Sequence, residues 1–300
     1  MTSVSVVGLG AMGRPIARNL MGAGFDVTVW NRSPEAVAEL VAEGATGAKT
    51  VAEAFQSGVV LSMLADDSAV SAAILDPAVL TSVPSGTVHV NMATVSVGLA
   101  ERAAALHAEY GIGYIAAPVF GRVSVAQAGQ LNIIAGGDSS LLERVQPFLD
   151  VIGARTWPQG ERPEQANIVK IIGNYLILSA IQSLGEAITL GERSGVDGSQ
   201  LVELLTSTIF PGPVYSSYGN LVATRQYEPA GFTTALGLKD LRLALDAADS
   251  VDLDLPFGGV LRGVLAQALA NGQGEMDWAS IAELVRSGQS GEGSPETPTR

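Results

Sequence analysis

The sequence predicts an α/β domain built on a doubly wound, mostly parallel sheet, followed by an all-α C-terminal domain. Three observations predict it. Short apolar runs at 4–8, 26–30, 59–64, 87–92, 112–117 and 131–135 alternate with stretches of helical periodicity. A glycine-rich turn, Gly8-Leu9-Gly10-Ala11-Met12-Gly13, joins the first run to the first helical stretch. After Gly160-Glu161-Arg162-Pro163 the strand-length runs stop, and only long helical patterns follow.

Composition narrows the function classes. A chain of 300 residues has the length of about two domains. Hydrophobic residues make up 47% and aromatics only 5%, so the cores are aliphatic, as packed helices and buried parallel strands require. The absence of cysteine excludes disulfides, thiol nucleophiles and Cys-ligated zinc. The two histidines, His89 and His107, lack metal-like spacing, so no metal site is expected. A net charge of −13 argues against a nucleic-acid surface. No basic region precedes the first apolar run, which points to a cytoplasmic protein.

The first strand, Val4–Gly8, leads through the glycine turn into a helix over Pro15–Gly24. Pro15 suits the first turn, where its missing N–H costs little. Glycine at 8, 10 and 13 serves a tight turn, close approach of backbone to a pyrophosphate, and close helix–strand packing. The N–H groups at the helix start then face the phosphates. Gly8, Leu9, Gly10, Ala11, Met12 and Gly13 are therefore cofactor-binding candidates of a Rossmann domain. The second strand, Asp26–Trp30, ends in Asn31-Arg32-Ser33, about 20 residues past the glycines, where an acid would hold the ribose hydroxyls of NAD. No acid stands there. Arg32 can pair with a 2′-phosphate and stack on adenine, and Asn31 and Ser33 can donate hydrogen bonds, so the pattern predicts NADP(H).

Helices over Ser33–Glu43, Val97–Gly111 and Ser139–Ile152 continue the alternation, and a last short strand falls near 154–157. Ligands of open α/β sheets sit beyond the carboxyl ends of the strands. That rule places Leu64, Ala65, Thr94 and the 117–122 loop on the cofactor side. The Gly-, Ser- and Pro-rich end, 289–300, reads as a disordered tail.

The helix over 165–194 organises the second half. It would run about 45 Å and is apolar on more than one face, so it needs partners on several sides. Lys170, Asn174, Gln182 and Glu186 interrupt it, and its uncharged core, Ile171–Gly185, is shorter than the roughly 18 residues of a membrane span. We therefore expect no membrane insertion, and an apolar surface large enough for a homodimer. Lys170 sits between Ile168-Val169 and Ile171-Ile172, with Asn174 one turn on along the same face. The division expected is a dinucleotide-binding domain at 1–162, an interdomain helix at 163–195, a helical domain at 196–288, and the tail.

Four motifs together resemble the β-hydroxyacid dehydrogenase family, which includes 3-hydroxyisobutyrate dehydrogenases and glyoxylate or succinic semialdehyde reductases. They are the glycine turn, the loop Ala117-Pro118-Val119-Phe120-Gly121-Arg122, the pair Lys170-x-x-x-Asn174, and Leu238-Lys239-Asp240-Leu241. The resemblance runs to about Gly272. It implies a nicotinamide with its reactive carbon near Lys170, which acts as general acid/base toward a small carbonyl or hydroxy acid. It implies that Asn174 orients substrate or ammonium, and that Lys239, Thr94 and Leu64 reach the cofactor. Phe120, Gly121 and Arg122 would face the substrate, with Phe232 an aromatic candidate for the pocket wall. It also implies interlocked helical domains in a homodimer.

Two departures bear on the substrate. The family loop carries Ser-Gly-Gly where this chain has Phe120-Gly121-Arg122, and Val97 replaces a frequent proline after Thr94. The glycine turn and Trp30-Asn31-Arg32-Ser33 are also similar to the imine reductases, which usually carry Asp or Tyr in place of the lysine. The leading expectation is an NADPH-dependent oxidoreductase acting through Lys170. The alternatives are an NADPH-dependent imine reductase and a non-catalytic NADP-binding protein.

Overall fold

The computed structural model describes residues 3–288, and the expected disordered tail lies outside the described residues. The chain divides into two compact units, one ending at Lys170 and the other beginning at Ile171.

The first unit opens with β1 (Ser3–Val7), α1 (Gly13–Gly22), β2 (Asp26–Trp30), α2 (Pro34–Ala42), β3 (Thr46–Gly47) and α3 (Val51–Ala54). It continues through β4 (Val59–Ser62), α4 (Asp67–Ala73), α5 (Pro77–Leu80), β5 (Val88–Asn91), α6 (Val97–Glu109) and β6 (Gly113–Ala116). These six strands form one parallel sheet in the order β3-β2-β1-β4-β5-β6. Every residue of β4 and β5 is buried, which is why Val-Val-Leu-Ser and Val-His-Val-Asn read as unbroken runs rather than alternating ones. The helices cover both faces. Ile16, Leu20 and Leu149 pack on one, and Phe55, Val70 and Leu99 on the other. Strand order reverses between β1 and β4, so the crevice where open sheets bind ligands lies beside the turn that follows β1.

The chain then leaves that sheet. β7 (Val119–Phe120), α7 (Val123–Gln127), β8 (Leu131–Ala135), α8 (Ser139–Ile152) and β9 (Gly153–Pro158) follow. The sequence had 131–135 and 154–157 continuing the main alternation. Instead β7, β8 and β9 form a separate three-stranded sheet, with β7 antiparallel to β8. Pro118, which has no N–H to donate, breaks the run after β6. Its carbonyl accepts from Ile134 instead, and an antiparallel bridge, Ala116 to Gly136, ties the two sheets together.

A single helix, α9 (Glu164–Arg193), leads from the first unit into the second. It is long and apolar enough to cross a membrane by length and composition, yet half of its most apolar window is buried inside the protein, as in a core helix. The second unit continues with α10 (Gly198–Thr208), α11 (Pro213–Thr224), α12 (Thr234–Asp249), α13 (Pro256–Ala270) and α14 (Ala282–Ser287), the last preceded by a 3-10 turn at Trp278–Ile281. Asp197 caps α10 through Gln200 N, and Thr233 caps α12 through Leu236 N. Leu178, Ile181 and Leu184 of α9 share a core with Tyr218, Leu241, Leu261 and Trp278. The outer face of α9 keeps Leu176 60% and Leu190 69% exposed.

Candidate dinucleotide site and buried lysine

Gly8 stands at φ 94°, and a Cβ there would overlap Met63 O of the neighbouring strand end. A Cβ on Gly13 would overlap Gly8 O, which is how the first turn of α1 comes to lie against the strand. Gly10 is different: a Cβ there would meet nothing within 4 Å, and the residue is exposed. Two glycines thus shape the turn, and the third leaves open space above it. The N-terminus of α1 has no side-chain cap and no acid in its first turn. Its N–H groups and positive dipole end suit an anion. The residues present therefore fit the pyrophosphate of a dinucleotide, with Gly10 and Ala11 exposed and Leu9, Met12 and Gly13 more enclosed.

The turn is held from the side by Asn31, whose Oδ1 accepts from Leu9 N at 3.0 Å while its Nδ2 donates to Ser33 O at 3.1 Å. The sequence reading had Asn31 donating to a phosphate. In the structure it braces the glycine turn against the end of β2. Arg32 and Ser33 are exposed. Leu64 and Thr94 are half-buried at the ends of β4 and β5, and Ala65 is exposed.

Lys170 is buried, at 9% exposure, and its Nζ lies 4.4 Å from the centroid of the Phe120 ring. The two residues that the sequence placed in separate motifs are thus in cation–π contact. Gly121 is exposed at φ 142°, wedged where a Cβ would press on Leu131 and Val125, and Arg122 is the N-cap residue of α7. One turn past Lys170, Asn174 is 5% exposed, and its Nδ2 donates to Asp240 Oδ2 at 2.5 Å. Lys239 Nζ stands 3.0 Å from Asp240 Oδ1, an ion pair whose alignment falls short of a hydrogen bond. Asp240, only 3% exposed, is thus the anchor of Asn174, a role sequence reasoning missed although the Lys-Asp dipeptide was in view. Phe232 packs its ring on Trp278, centroids 4.7 Å apart, as part of the second unit's core.

Beneath the strand ends runs a buried polar chain that the sequence did not disclose. His107 Nδ1 lies 2.7 Å from Ala103 O, His107 Nε2 lies 2.9 Å from His89 Nδ1, and His89 Nε2 lies 2.8 Å from Ser62 Oγ. A carbonyl can only accept, so His107 carries its proton on Nδ1. Its Nε2 then accepts from His89 Nδ1–H, and His89 Nε2 accepts from Ser62. Burial holds both rings neutral. His107 is pushed down to about 4 and His89 well below its ordinary range, with the neighbouring His107 adding to the effect on His89. Asn91, beside Ser62, accepts from Ala93 N and donates to Tyr114 OH, which burial pushes above the ordinary tyrosine range.

Two family descriptions match the chain: the NAD binding domain of 6-phosphogluconate dehydrogenase over residues 3–172, and the NAD-binding region of NADP-dependent 3-hydroxyisobutyrate dehydrogenase over residues 165–285. An uncharacterised oxidoreductase of Bacillus subtilis (strain 168), YfjR, is 38% identical over 94% of this chain and 99% of its own. Glyoxylate/succinic semialdehyde reductase 2 of Arabidopsis thaliana is 32% identical, covering 97% of this chain and 81% of its own. Among solved structures, 3-hydroxyisobutyrate dehydrogenase of Mycobacterium tuberculosis with L-serine superposes with a TM-score of 0.84 at 29% identity, over 95% of this chain and 99% of that one. An imine reductase from a Pseudomonas species superposes with a TM-score of 0.63 at 26% identity, over 94% and 98%. With both family matches and relatives spanning nearly its whole length, the chain belongs to the β-hydroxyacid dehydrogenase family, nicotinamide-dependent oxidoreductases acting on CH–OH groups.

Proposed function

We propose that the protein is an NADP(H)-dependent reductase that interconverts a small aldehyde or keto acid with its hydroxy acid, Lys170 serving as general acid/base. The observation that carries the reading is the burial of the Lys170 ammonium against Phe120 on one face of α9, a turn from an Asn174 fixed by Asp240. Bound on the glycine turn, the nicotinamide cofactor supplies or accepts the hydride. Lys170 Nζ holds a proton at the carbonyl oxygen, stabilises the negative charge that develops there, and takes the proton back in oxidation. The Asn174 amide, oriented through Asp240, directs the substrate oxygen. Phe120 gives an apolar wall, and Arg122 offers a bidentate partner for a substrate carboxylate in place of the family's serine. Arg32, exposed at the end of β2, takes the 2′-phosphate. The exposed leucines of α9 support a homodimer.

The test is a carbonyl panel followed by cofactor absorbance. Lys170→Ala should lose about a hundredfold or more in turnover with every substrate that the wild type accepts. Near-full turnover would refute the assignment. Imine reduction is the second reading, favoured by the Phe120 wall and by the imine reductase neighbour. A cyclic imine assayed beside glyoxylate and succinic semialdehyde separates the two.

A further inference from the structure

Two neighbouring acids follow β4, and they do different work. Asp66 is the N-cap of α4, its Oδ1 accepting from Ala69 N at 2.8 Å and from Ser68 Oγ at 2.7 Å. Asp67 instead reaches the loop after β5. Its Oδ1 accepts from Ser96 N at 3.0 Å and its Oδ2 from Ser96 Oγ at 2.5 Å. Ser96 is itself the N-cap of α6, accepting from Leu99 N at 3.0 Å. A serine caps a helix without a carboxylate behind it, so the Asp67 contact is additional to capping.

That contact joins the two loops, 63–66 and 92–96, that leave the carboxyl ends of β4 and β5, where open sheets bind their ligands. On its outer side the junction of α4 and α6 is not filled by apolar side chains. A cleft lined by Asp67, Ser68, Ser71, Ser96 and Arg102 opens there, and Arg102 Nη2 donates across it to Ser71 Oγ at 2.5 Å. Polar ties therefore set the spacing of the two loops at this edge.

Thr94 stands between fixed neighbours. Ala93 N donates to Asn91 Oδ1 at 3.1 Å on one side, Val95 is fully buried on the other, and Ser96 follows in the grip of Asp67. Thr94 is half-buried whereas Asn91, Met92, Ala93 and Val95 are buried, so its side chain keeps surface that a ligand can meet. We infer that Asp67 is a positioning residue for dinucleotide binding, acting through Ser96 to fix the Thr94 hydroxyl at the crevice. The inference rests on the reading of Thr94 as a cofactor-facing residue.

The experiment is isothermal titration of the wild type, Asp67→Ala, Thr94→Val and the double variant with whichever of NADPH and NADH the wild type binds more tightly. Thr94→Val removes the hydroxyl and keeps the shape, and should weaken binding by about tenfold, the effect of one hydrogen bond. Asp67→Ala should weaken binding by a similar factor in the wild-type background and by less than about twofold in the Thr94→Val background, because the hydroxyl it positions is gone. A merely structural role for Asp67 predicts the same loss in both backgrounds. Asp67→Asn keeps an acceptor for Ser96 and should fall between, and it carries the same cycle where Asp67→Ala does not fold. Wild-type affinity in Thr94→Val would refute the reading of Thr94 and the inference with it. A loss in Thr94→Val joined by no loss in the Asp67 variants, or by an equal loss from them in both backgrounds, would overturn the inference and leave that reading standing.

Discussion

The chain has two histidines, and the structure buries both in one hydrogen-bonded chain, so stability between pH 5 and 6.5 should be theirs to set. His107 is fully buried and held down to about 4 against an ordinary 6.5. The folded state keeps it neutral where the unfolded chain takes up a proton. The unfolded state then binds more protons, and stability falls as pH falls. The contribution is fully present above pH 6.5 and is lost progressively down to about 4. His107 accounts for about 3 kcal/mol over that window. His89, depressed further, adds a second proton to the slope. Near pH 5 both rings add to the slope, so unfolding free energy should fall more steeply with falling pH than one ring alone would make it. The groups facing the rings are Ser62, Asn91, Phe55, Tyr114 and the Ala103 carbonyl, none of which titrates in that range. Protonating His107 on Nε2 would also set two N–H groups against each other across the 2.9 Å contact, and protonating His89 on Nε2 would remove the acceptor of Ser62. The assay is urea unfolding from pH 4.5 to 8. His107→Gln supplies an acceptor for His89 without titrating, and should about halve the slope. A double Gln variant should flatten it above pH 5. An unchanged slope in His107→Gln would refute both the tautomer assignment and the burial argument.

Three further outcomes follow from the site. Gly10→Ala should fold with stability within about 1 kcal/mol of the wild type, because its Cβ enters open space, yet bind dinucleotide weakly. Gly13→Ala should disturb the turn itself, so thermal unfolding and calorimetry together separate a ligand-facing glycine from a packing glycine. Arg32→Ala should weaken NADPH by about tenfold or more and leave NADH nearly unchanged, and an equal loss for both would exclude the 2′-phosphate role. Asp240→Ala should destabilise the protein by about 2 kcal/mol by removing the carboxylate that accepts from the buried Asn174 amide, and should also lower turnover.

What the sequence disclosed was whatever is local or periodic. The parallel strands could be read because strands buried on both faces are continuous apolar runs, and the glycine turn because its spacing is set within six residues. α9 could be read because a 30-residue apolar helix has few alternatives. β3 and β7 are two residues each and leave no pattern, and the second sheet depends on Pro118 redirecting the chain to a strand formed later. The site divides in the same way. Lys170 and Asn174 stand one turn apart and declare themselves, whereas Asp240 joins Asn174 across 66 residues. His89 and His107 looked inert because histidine was weighed for metal spacing, and no spacing rule predicts that a strand and a helix will bring two rings to 2.9 Å. The residues that sequence reasoning found are those that would meet a ligand through a shared local pattern. Asp240, which it missed, holds one of those residues in place from a distant part of the chain.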